Sequence, residues 1–389
     1  MSKINLNEIA AGVAKKEENT FSGFATSNSL AHRKKIEKEE RIRPPFAIDR
    51  DRIMYSGAFR RYTGKTQVVY FASLLDEQLT SRSLHTISVA QIAKTIGRFL
   101  SLNTDLIDAI ALGHDLGHPP FGHDGEVFLS EVSQKYGMGF FHHNIQSLRS
   151  VDKIANKGLG LNLSFQTRDG IISHNGEVND QSLEPDKHKS EKDIADYIKI
   201  MENGNIIDTK PGTLEGCVVR ITDTIAYIGQ DIEDAIRIGL ITREDLPEDA
   251  TKVLGNSNGQ IIETLVNDVV TQSYNKNFVA FSGKISEALF HLKKFNYAKI
   301  YKSEQLKINH TKIKRGFKIL YEFYLHALKE KDKENEIFVH FLNSKKDKYV
   351  SANRPEIIVR DFIAGMTDRY FTHVLSDHIL PELTKFDSN

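Results

Sequence analysis

A short segment of the sequence concentrates histidine and acidic residues. In chain order it contains His114, Asp115, His118, His123 and Glu126. Imidazole nitrogens and carboxylate oxygens are ligands that divalent transition metals accept together. Gly113 and Gly117 flank the adjacent His-Asp pair, and they give the backbone the freedom that joint ligation of one ion requires. A lone His-Asp pair is more often a chance occurrence, so the metal site that it suggests depends on what neighbouring elements add.

Two helices are predicted to bring another histidine beside this pair. Apolar residues recur every three or four positions over Ser81–Leu100, and His85 falls on the same inward face. A lone histidine on such a face is usually a core residue. A second helix, which we expect to begin at the N-cap Thr104, carries His114 and Asp115 at its far end. Antiparallel packing of the two helices would place the first histidine next to the pair.

The helix predicted for residues 214–236 carries polar residues on one line. Asp223, Tyr227 and Asp231 recur every four positions, opposite a seam of leucine, valine and isoleucine. Because neighbouring apolar residues extend around this line, we expect it to be buried. A buried carboxylate is costly unless a metal or a hydrogen bond compensates it. Asp223 is therefore a candidate fourth ligand for the same ion.

Two other histidines admit both a functional and a structural interpretation. His143, in the doublet His142-His143, is either a general acid or a helix-start histidine that packs against Phe141, and the local sequence favours packing. His174 follows a helical run, where the helix dipole explains a histidine equally well. Local sequence alone therefore assigns neither residue to the site.

Three polar segments lie outside these motifs. Residues 49–68 contain four arginines and one lysine among aromatic residues. Their cationic groups would either take phosphate oxygens, through bidentate guanidinium hydrogen bonds, or form ion pairs at the surface or between subunits. The mixed-charge run of residues 32–40 predicts a solvated helix. Residues 176–212 lose helical periodicity and predict a long loop or lid.

Composition limits the classes of protein to consider. The chain has 389 residues and no net charge, so no bulk positive field recruits nucleic acid. Its single cysteine, Cys217, excludes intrachain disulfides and agrees with a reducing compartment. No secretory signal pattern is present and no apolar run reaches membrane-spanning length, so we expect a cytoplasmic protein. Long stretches with a period near 3.6 predict an all-α fold.

Taken together, these residues resemble a known signature. The order His85, His114-Asp115, Asp223 is similar to the H…HD…D signature of the HD-domain metal-dependent phosphohydrolases. The flanking sequence resembles more specifically the bacterial deoxynucleoside triphosphate triphosphohydrolases, the dGTPase and dGTPase-like group. The blocks that carry this resemblance are residues 51–68, 114–126, 143–148, 221–235 and 365–368.

The resemblance implies a metal and a reaction. The family's divalent ion would be held by His85, His114, Asp115 and Asp223. This nitrogen and oxygen donor set suits manganese or magnesium, with iron or nickel as alternatives. The family reaction hydrolyses a dNTP, with dGTP among the candidates, at the α-phosphorus. Its products are the deoxynucleoside and intact inorganic triphosphate.

The resemblance also implies roles for further residues. His123 and Glu126 match the family's catalytic histidine and its acidic partner, and His143 matches another active-site histidine that can serve the leaving 5′-oxygen. Which of the two histidines protonates that oxygen stays open. Arg82 would hold the α-phosphate. The positions that match the surroundings of the deoxyribose are Gln67, Tyr227 and Asp231.

For the whole chain, the resemblance implies an HD-domain helical core with additional C-terminal helices. We divide the chain into a polar N-terminal segment (1–40), a catalytic core (41–240, with the 176–212 loop or lid inserted) and a helical C-terminal region packed on the core (241–389). Members of this family are often homo-oligomers, dimer-based and up to hexamers, in which dNTPs act as allosteric effectors. Nucleic acid is not expected as a primary partner, and no membrane is expected.

Two alternatives stay open at this point. Another HD phosphohydrolase, such as a nucleotide phosphomonoesterase or a cyclic-nucleotide or alarmone hydrolase, would use the same four ligands without needing Gln67, Tyr227 or Asp231. It would release orthophosphate or pyrophosphate. A non-catalytic nucleotide sensor or nucleic-acid-binding regulator would use the basic residues between positions 50 and 65. It would bind DNA in a salt-dependent way without turnover.

Overall fold

The described part of the chain is almost entirely helical. The computed structural model describes residues 5–38, 40, 42–67, 79–174 and 181–379. The α-helices in these ranges are α1 (Leu6–Glu18), α2 (Pro45–Met54), α3 (Gly57–Arg61), α4 (Arg82–Phe99), α5 (Thr104–Gly113), α6 (Gly122–Lys135), α7 (His143–Arg149), α8 (Ala155–Gly158), α9 (Phe165–Ile172), α10 (Glu191–Glu202), α11 (Leu214–Arg237), α12 (Glu248–Leu254), α13 (Asn258–Ser273), α14 (Gly283–Asn296), α15 (His310–Glu330), α16 (Asp347–Ser351), α17 (Pro355–Ala364) and α18 (Asp368–Ile379). Two short strands, β1 (Ser182–Leu183) and β2 (Val279–Ala280), pair antiparallel. The predicted all-α fold is confirmed, and every helix of these ranges is too short or too polar to span a bilayer.

Helices α4, α5 and α11 form the frame of the candidate site. α4 packs against both α5 and α11. Val89, Ile110 and Ile225, one apolar residue from each helix, are completely buried in this packing. The predicted inward position of His85 is confirmed, because it is buried together with Val89 and Ile96, whereas Phe99, at the end of the same predicted face, is exposed. The periodicity of these helices therefore determines which polar side chains point into the interior.

The start of α5 differs from the prediction by one residue. Asn103, not Thr104, is the N-cap: its side-chain oxygen accepts hydrogen bonds from the amides of Asp105 and Leu106 at 3.2 and 3.3 Å. Both residue types can cap a helix, and asparagine is the stronger of the two. Its side-chain amide nitrogen also donates to the carbonyl of Thr26 at 2.9 Å, which ties the start of α5 to the N-terminal segment.

The apolar interior contains two clusters of buried side chains. The first surrounds α4, α5 and α11 and continues through α13 and α14 to Ile300. The second is largely aromatic and lies between α6, α15, α17 and α18, with Phe128, Phe317 and Phe362 among its members. α6 thus anchors its apolar face in the second cluster while its first turns carry Glu126. The division of the chain at residue 240 stays a prediction.

The predicted loop at residues 176–212 is wrong over a third of its length, because residues 191–202 form α10. A capping box between Ser190 and Asp193 holds the start of this helix. Its buried residues, Ile194, Tyr197 and Met201, are three and four positions apart. The charged residues between them interrupt the apolar pattern, so the sequence did not predict a helix here. Residues 175–180, at the start of the predicted loop, lie outside the described residues.

The predicted helix at residues 32–40 is also wrong, since residues 32–38 adopt no helix. Arg33 forms an isolated antiparallel bridge with Ser164 and an ion pair with the fully buried Asp49. Its guanidinium also donates to the carbonyl of Pro45 at 2.8 Å. These tertiary contacts require an extended chain, and they outweigh the weak helix preference of an exposed charged segment.

Candidate active site

One cavity of about 500 Å³ collects the predicted site residues. Its walls come from α4, α6, α7 and α11 and from residues 297–307. The predicted residues that line it are Gln67, Arg82, His85, Asp115, His123, Glu126, His143, Asp223, Tyr227 and Asp231. The remaining predicted ligand, His114, is completely buried, with its Nε2 atom 3.7 Å from Asp115 Oδ2.

The orientation of His114 fits a metal ligand. This residue ends α5, and its Nδ1–H donates to the carbonyl of Ala111 at 2.6 Å, which leaves the lone pair on Nε2. That Nε2 atom is buried and has no hydrogen-bond partner among the described residues. It lies 3.8 Å from Asp223 Oδ1. Burial lowers the pKa of His114 to about 4, so the ring is neutral and its lone pair is available to a cation.

Among the described residues, two groups of candidate ligand atoms contain His114, and a third joins Asp115 and His174 with His143. His85, His114 and Asp115 offer three atoms within 4.8 Å of one another, and so do His114, His174 and Asp223. The Nε2 atom of His85 lies 2.8 Å from Asp223 Oδ1, which ties the groups together. Burial raises the pKa of Asp223, but the neighbouring His174 and His85 outweigh this effect and hold it well below its usual range. Charged carboxylates beside a neutral imidazole fit a divalent cation.

Arg82 lies in the first turn of α4, close to the carboxylates of this cluster. Its Nη1 donates to Asp115 Oδ2 at 2.6 Å. Its Nε and Nη2 atoms are buried and have no hydrogen-bond partner among the described residues. An added Cβ at Gly122, whose φ is +56°, would lie 3.1 Å from Nη2, so glycine keeps this space open. The two unused donors of a cavity-lining guanidinium are suited to an anion.

Sequence analysis missed His174, which the structure brings beside the four predicted ligands. We call these five residues, which could hold one ion, the metal cluster: His85, His114, Asp115, His174 and Asp223. The Nε2 of His174 lies 3.4 Å from Asp115 Oδ1, and its Nδ1 lies 3.6 Å from Asp223 Oδ2. Its ring centroid is 4.5 Å from that of His114. The polar partners of His174 are thus two carboxylates, and the helix dipole is not needed to explain it. Local sequence contains no signal of this, because only tertiary packing brings α9 against α5.

A second cluster surrounds Glu126. Its carboxylate accepts hydrogen bonds from the backbone N–H of His143 at 2.7 Å, from His143 Nδ1 at 3.0 Å and from His123 Nδ1 at 3.2 Å. Burial raises the pKa of Glu126, but the two histidines outweigh this effect and hold it well below its usual range. His143 does begin a helix, α7, but its ring faces this carboxylate and lines the cavity.

Gly117 allows the loop after α5 to pack closely against α7, which brings the two clusters into contact. The N–H of Gly117 donates to Ser147 Oγ at 2.8 Å, and an added Cβ at Gly117 would fall 2.1 Å from the Ser147 nitrogen. The loop therefore lies directly against α7, and His118 stacks on His143 with ring centroids 4.0 Å apart. His118 Nε2 is also 3.2 Å from Asp115 Oδ1, so this ring connects the metal cluster to the Glu126 cluster.

The C-terminal region holds this loop in position. Asp368 accepts hydrogen bonds from the backbone N–H groups of Thr66 and Phe121 at 3.1 and 3.0 Å. Phe121, with φ of +62°, immediately precedes α6. The ammonium of Lys65 is bonded to the carbonyl of His118. The block at residues 365–368 thus positions the backbone on both sides of the cavity.

Another wall of the cavity carries the predicted sugar-binding residues. Burial raises the pKa of Asp231 to about 7, although the Tyr301 hydroxyl donates to it at 2.6 Å. This carboxyl group is therefore protonated in much of the population near neutral pH. Tyr227, one helical turn earlier, lines the same wall. The side-chain oxygen of Gln67 is buried and has no hydrogen-bond partner among the described residues.

Residues 297–307 contribute cavity side chains that sequence analysis did not predict. Tyr297 and Tyr301 line the cavity from a π-helical turn. Lys307 also lines it, and its ammonium binds both oxygens of Asp124 at 2.6 and 2.8 Å. Because a π-helical turn does not have the 3.6-residue period of an α-helix, the apolar pattern of the sequence could not identify Tyr297 and Tyr301.

Arginines in the basic segment of residues 49–68 form ion pairs within the chain. Arg50 binds Asp105 at 2.8 Å and Asp51 at 3.1 Å. Arg52 binds Glu37 at 2.6 Å and donates to the carbonyl of Leu161 at 2.9 Å. For these two arginines the ion-pair interpretation is confirmed.

Comparison with known proteins defines the class. Residues 82–227 match the HD domain, and residues 279–377 match the phosphohydrolase-associated domain. The helical fold, the cluster of histidines and aspartates and these two matches together define a metal-dependent phosphohydrolase of the HD class.

Full-length relatives narrow this class to one family. The deoxyguanosinetriphosphate triphosphohydrolase-like protein of Caldanaerobacter subterraneus subsp. tengcongensis is 39% identical over 357 residues, which cover 92% of this chain and 91% of that protein. The protein of the same description from Clostridium tetani is 37% identical over 352 residues, 89% of each chain. The chain belongs to this deoxyguanosinetriphosphate triphosphohydrolase-like family. A crystal structure of a hypothetical protein from Aquifex aeolicus has a TM-score of 0.37 and 17% identity, covering 84% of this chain and 71% of that one.

Proposed function

We propose that this protein hydrolyses deoxynucleoside triphosphates at the α-phosphorus and releases the deoxynucleoside and inorganic triphosphate. One observation carries the proposal: the buried metal cluster shares a single cavity with Gln67, Tyr227 and Asp231. Other phosphohydrolases of the class need the metal cluster but not these three residues. The names of the relatives make dGTP the first substrate to test.

In this proposal the metal cluster and Arg82 hold the reacting phosphate. The residues that would bind the ion are His85, His114, Asp115 and Asp223, with His174 beside them. When bound, a divalent ion supplies Lewis-acid stabilisation of charge on phosphoryl oxygens, and manganese or magnesium is our expectation. The unused Nε and Nη2 donors of Arg82 would bind the α-phosphate oxygens, where charge grows as the reaction proceeds.

The Glu126 cluster would supply the proton that the leaving 5′-oxygen takes up. Water forms a bond to the α-phosphorus and gives up one proton, the bond from phosphorus to the 5′-oxygen breaks, and that oxygen takes up one proton, so that no net proton is gained or lost by the protein. Glu126 binds the Nδ1 atoms of His123 and His143, so their Nε2 atoms are the ones that exchange protons. The side chain of His123 is 74% exposed and that of His143 is 8% exposed. We therefore assign His123 to the leaving oxygen and His143 to orienting Glu126.

The wall formed by Tyr227 and Asp231 would bind the deoxyribose. The Asp231 carboxyl is bonded to Tyr301 and sits in a buried, weakly polar environment, where it can accept from or donate to a sugar hydroxyl. The Tyr227 ring would fill the space beside the sugar that a 2′-hydroxyl would need. The preference for deoxyribonucleotides over ribonucleotides then follows from shape and hydrogen bonding together.

Product analysis tests the proposal. The protein is incubated with manganese and each dNTP or ribonucleotide, singly and as a mixture, and products are separated by anion exchange and identified by mass spectrometry. We expect deoxynucleoside and intact triphosphate from dNTPs and little product from ribonucleotides. The mixture is included because dNTP effectors and homo-oligomers stay predictions of the family resemblance. Orthophosphate or pyrophosphate as the primary product would refute the proposal.

A further inference from the structure

A second cavity, of about 220 Å³, lies on the other side of the loop that carries the metal ligands. Leu116, which follows Asp115 directly, lines this second cavity and not the first. We call it the basic cavity, because four cationic side chains line it. These are Arg61, Lys65, Lys157 and Lys345.

Arg61, at the end of α3, has no counter-charge in this cavity. Its Nε atom is buried and has no hydrogen-bond partner among the described residues. Added Cβ atoms at Gly57 and Gly365 would each lie 3.5 Å from its guanidinium, so the group is enclosed by backbone. Burial, and secondarily the charge of Arg60, lowers the pKa of Arg61. Arg61 as a whole is half-buried, but a buried guanidinium nitrogen without an acceptor is costly, which indicates that an anion belongs beside it.

Asp361, the acidic side chain among the described residues lining the basic cavity, cannot serve as that anion. Its carboxylate already accepts from Arg149 through Nε and Nη2, both at 2.7 Å. It also accepts from Gln146 at 3.1 Å and from the hydroxyl of Tyr349 at 2.7 Å. Its charge is therefore neutralised by Arg149, and its lone pairs are occupied.

Lys345 adds to the basic cavity a positive charge that Asp361 does not cancel. Lys345 donates to the carbonyl of Ile154 at 2.8 Å, and its ammonium lies 4.5 Å from the centre of the Phe341 ring. Burial, followed by the nearby Arg61, lowers the pKa of Lys345 to about 8. Lys65 donates to carbonyl oxygens only, and burial, followed by the nearby Arg61, lowers its pKa well below the usual range, so it is not counted as a full positive charge. Neutral acceptors satisfy these ammonium groups but provide no negative charge.

The backbone at the edge of the basic cavity is strained. Asn156 and Lys157, which both line it, have φ values of +50° and +58°, in the left-handed region that asparagine adopts readily but lysine rarely does. The carbonyl of Lys157 accepts from the N–H of Lys346 at 2.8 Å, which fixes this turn beside Lys345. Strain of this kind is concentrated at ligand sites, where the surrounding structure maintains it.

We propose that the basic cavity is a second binding site, for a phosphate group. A guanidinium fork beside an ammonium matches tetrahedral oxyanions, and arginine binds them in two-point contacts. The volume of 220 Å³ is below the roughly 300–1,000 Å³ of cavities that enclose whole small-molecule ligands. The site therefore takes a phosphoryl group, either as free inorganic phosphate or as the terminal group of a larger molecule.

Calorimetric titration with inorganic phosphate tests this site without measuring turnover, so it is independent of the proposed reaction. We compare the wild type with Arg61→Gln, Lys345→Met and, as the matched control, Lys348→Met. Lys348 is exposed and does not line the cavity. We expect both cavity variants to weaken phosphate binding at one site by at least about tenfold, the factor that 1.4 kcal/mol produces. The control should keep wild-type affinity, and Arg61→Lys should recover part of it.

Two further arms complete the test. Thermal unfolding of each variant without phosphate shows whether it folds. If Arg61→Gln does not fold, the comparison of phosphate affinity uses Lys345→Met alone. Titration of the wild type and both cavity variants with a deoxynucleoside monophosphate separates the two sources: binding that the cavity variants lose indicates a phosphate tail, and loss of inorganic phosphate binding alone indicates a free anion. Wild-type phosphate binding that persists unchanged in both folded cavity variants, or no phosphate binding by the wild type, would overturn the proposal.

Discussion

The two histidine clusters of the main cavity contain the same chemical groups but differ in hydrogen bonding and exposure. Around His114, imidazole lone pairs and carboxylate oxygens converge within 4.8 Å, and the Nε2 of His114 has no partner among the described residues. Around Glu126, two rings direct their Nδ1 atoms to one carboxylate. Converging lone pairs require a cation, whereas N–H groups that converge on a carboxylate already have their counter-charge.

This difference shows why residue types alone do not separate a metal site from an acid–base site. The Glu126 cluster also groups four potential ligand atoms, from His118, His123, Glu126 and His143. In that cluster the carboxylate already receives three hydrogen bonds, and His123 is exposed to the cavity. We therefore assign metal binding to the first cluster and proton transfer to the second.

The largest expected effect is that of His114→Ala. The change removes the Nε2 atom that is available to the ion, so metal binding should be abolished. Turnover should fall by more than roughly 10³-fold, which is the cost of losing a single electrostatic contact in an active site. Metal content by mass spectrometry and initial rates measure the two effects. His188→Ala, at an exposed position, is the control and should retain both. Retained activity in metal-free His114→Ala would refute the ligand assignment.

Glu126→Gln should separate the two clusters most clearly. The amide keeps the shape but loses the charge that organises both histidines, so turnover should fall by about 10²–10⁴-fold. Metal content should stay at the wild-type level, because this residue belongs to the other cluster. Glu131→Gln, on the exposed face of the same helix, is the matched control. Loss of metal from Glu126→Gln would show that the second cluster binds metal too.

The His142-His143 doublet offers an internal comparison. His143 binds Glu126, whereas His142 Nε2 lies 3.2 Å from the carbonyl of Met201, away from that carboxylate. We expect His143→Ala to lower turnover by about 10²-fold, the lower end of the range for acid–base groups. His142→Ala should remain close to wild type. Equal losses in steady-state rates would indicate that this segment matters for folding and not for orienting Glu126.

A smaller effect is expected in the pH dependence of stability. The pKa of Asp231 is raised to about 7 in the folded state from an ordinary value of 3.8, so the folded state binds more protons between these values. The stability that protonated Asp231 contributes is complete below pH 3.8 and is lost as pH rises through about 7. Asp231→Asn should lack this loss.

Thermal unfolding between pH 5 and 8 measures the effect. The Tm of the wild type should fall relative to that of Asp231→Asn by about a few degrees as pH rises. Asp347→Asn, at an exposed position, should follow the wild type. A constant difference between wild type and Asp231→Asn would contradict the raised pKa.

Helical periodicity made much of the fold and site predictable. The period of 3.6 residues identified the inward position of His85. It also identified the line of Asp223, Tyr227 and Asp231, of which Asp231 is buried and the other two are half-buried where they line the cavity. In the Glu126 cluster, His123 and Glu126 lie in the first turns of α6, and His143 begins α7, the next helix. Its members were therefore found from their proximity in sequence and from the family resemblance. Their roles as ligands and acid–base groups stay predictions.

The parts that were missed depend on contacts between distant elements. His174 joins the metal cluster because α9 packs on α5, and Tyr301 reaches Asp231 from a π-helical turn after α14. Helix α10 was missed because its three buried residues stand among charged ones. The extended chain around Arg33 follows from the buried Asp49, a partner that local sequence does not reveal.

The most direct test of the central claim is hydrolysis of dGTP in ¹⁸O-labelled water with the metal-loaded protein, followed by mass spectrometry of the products. Attack of water at the α-phosphorus places one labelled oxygen in the released triphosphate and none in the deoxyguanosine. We predict this distribution. Label in orthophosphate or pyrophosphate released directly from dGTP, or in the deoxynucleoside, would contradict it.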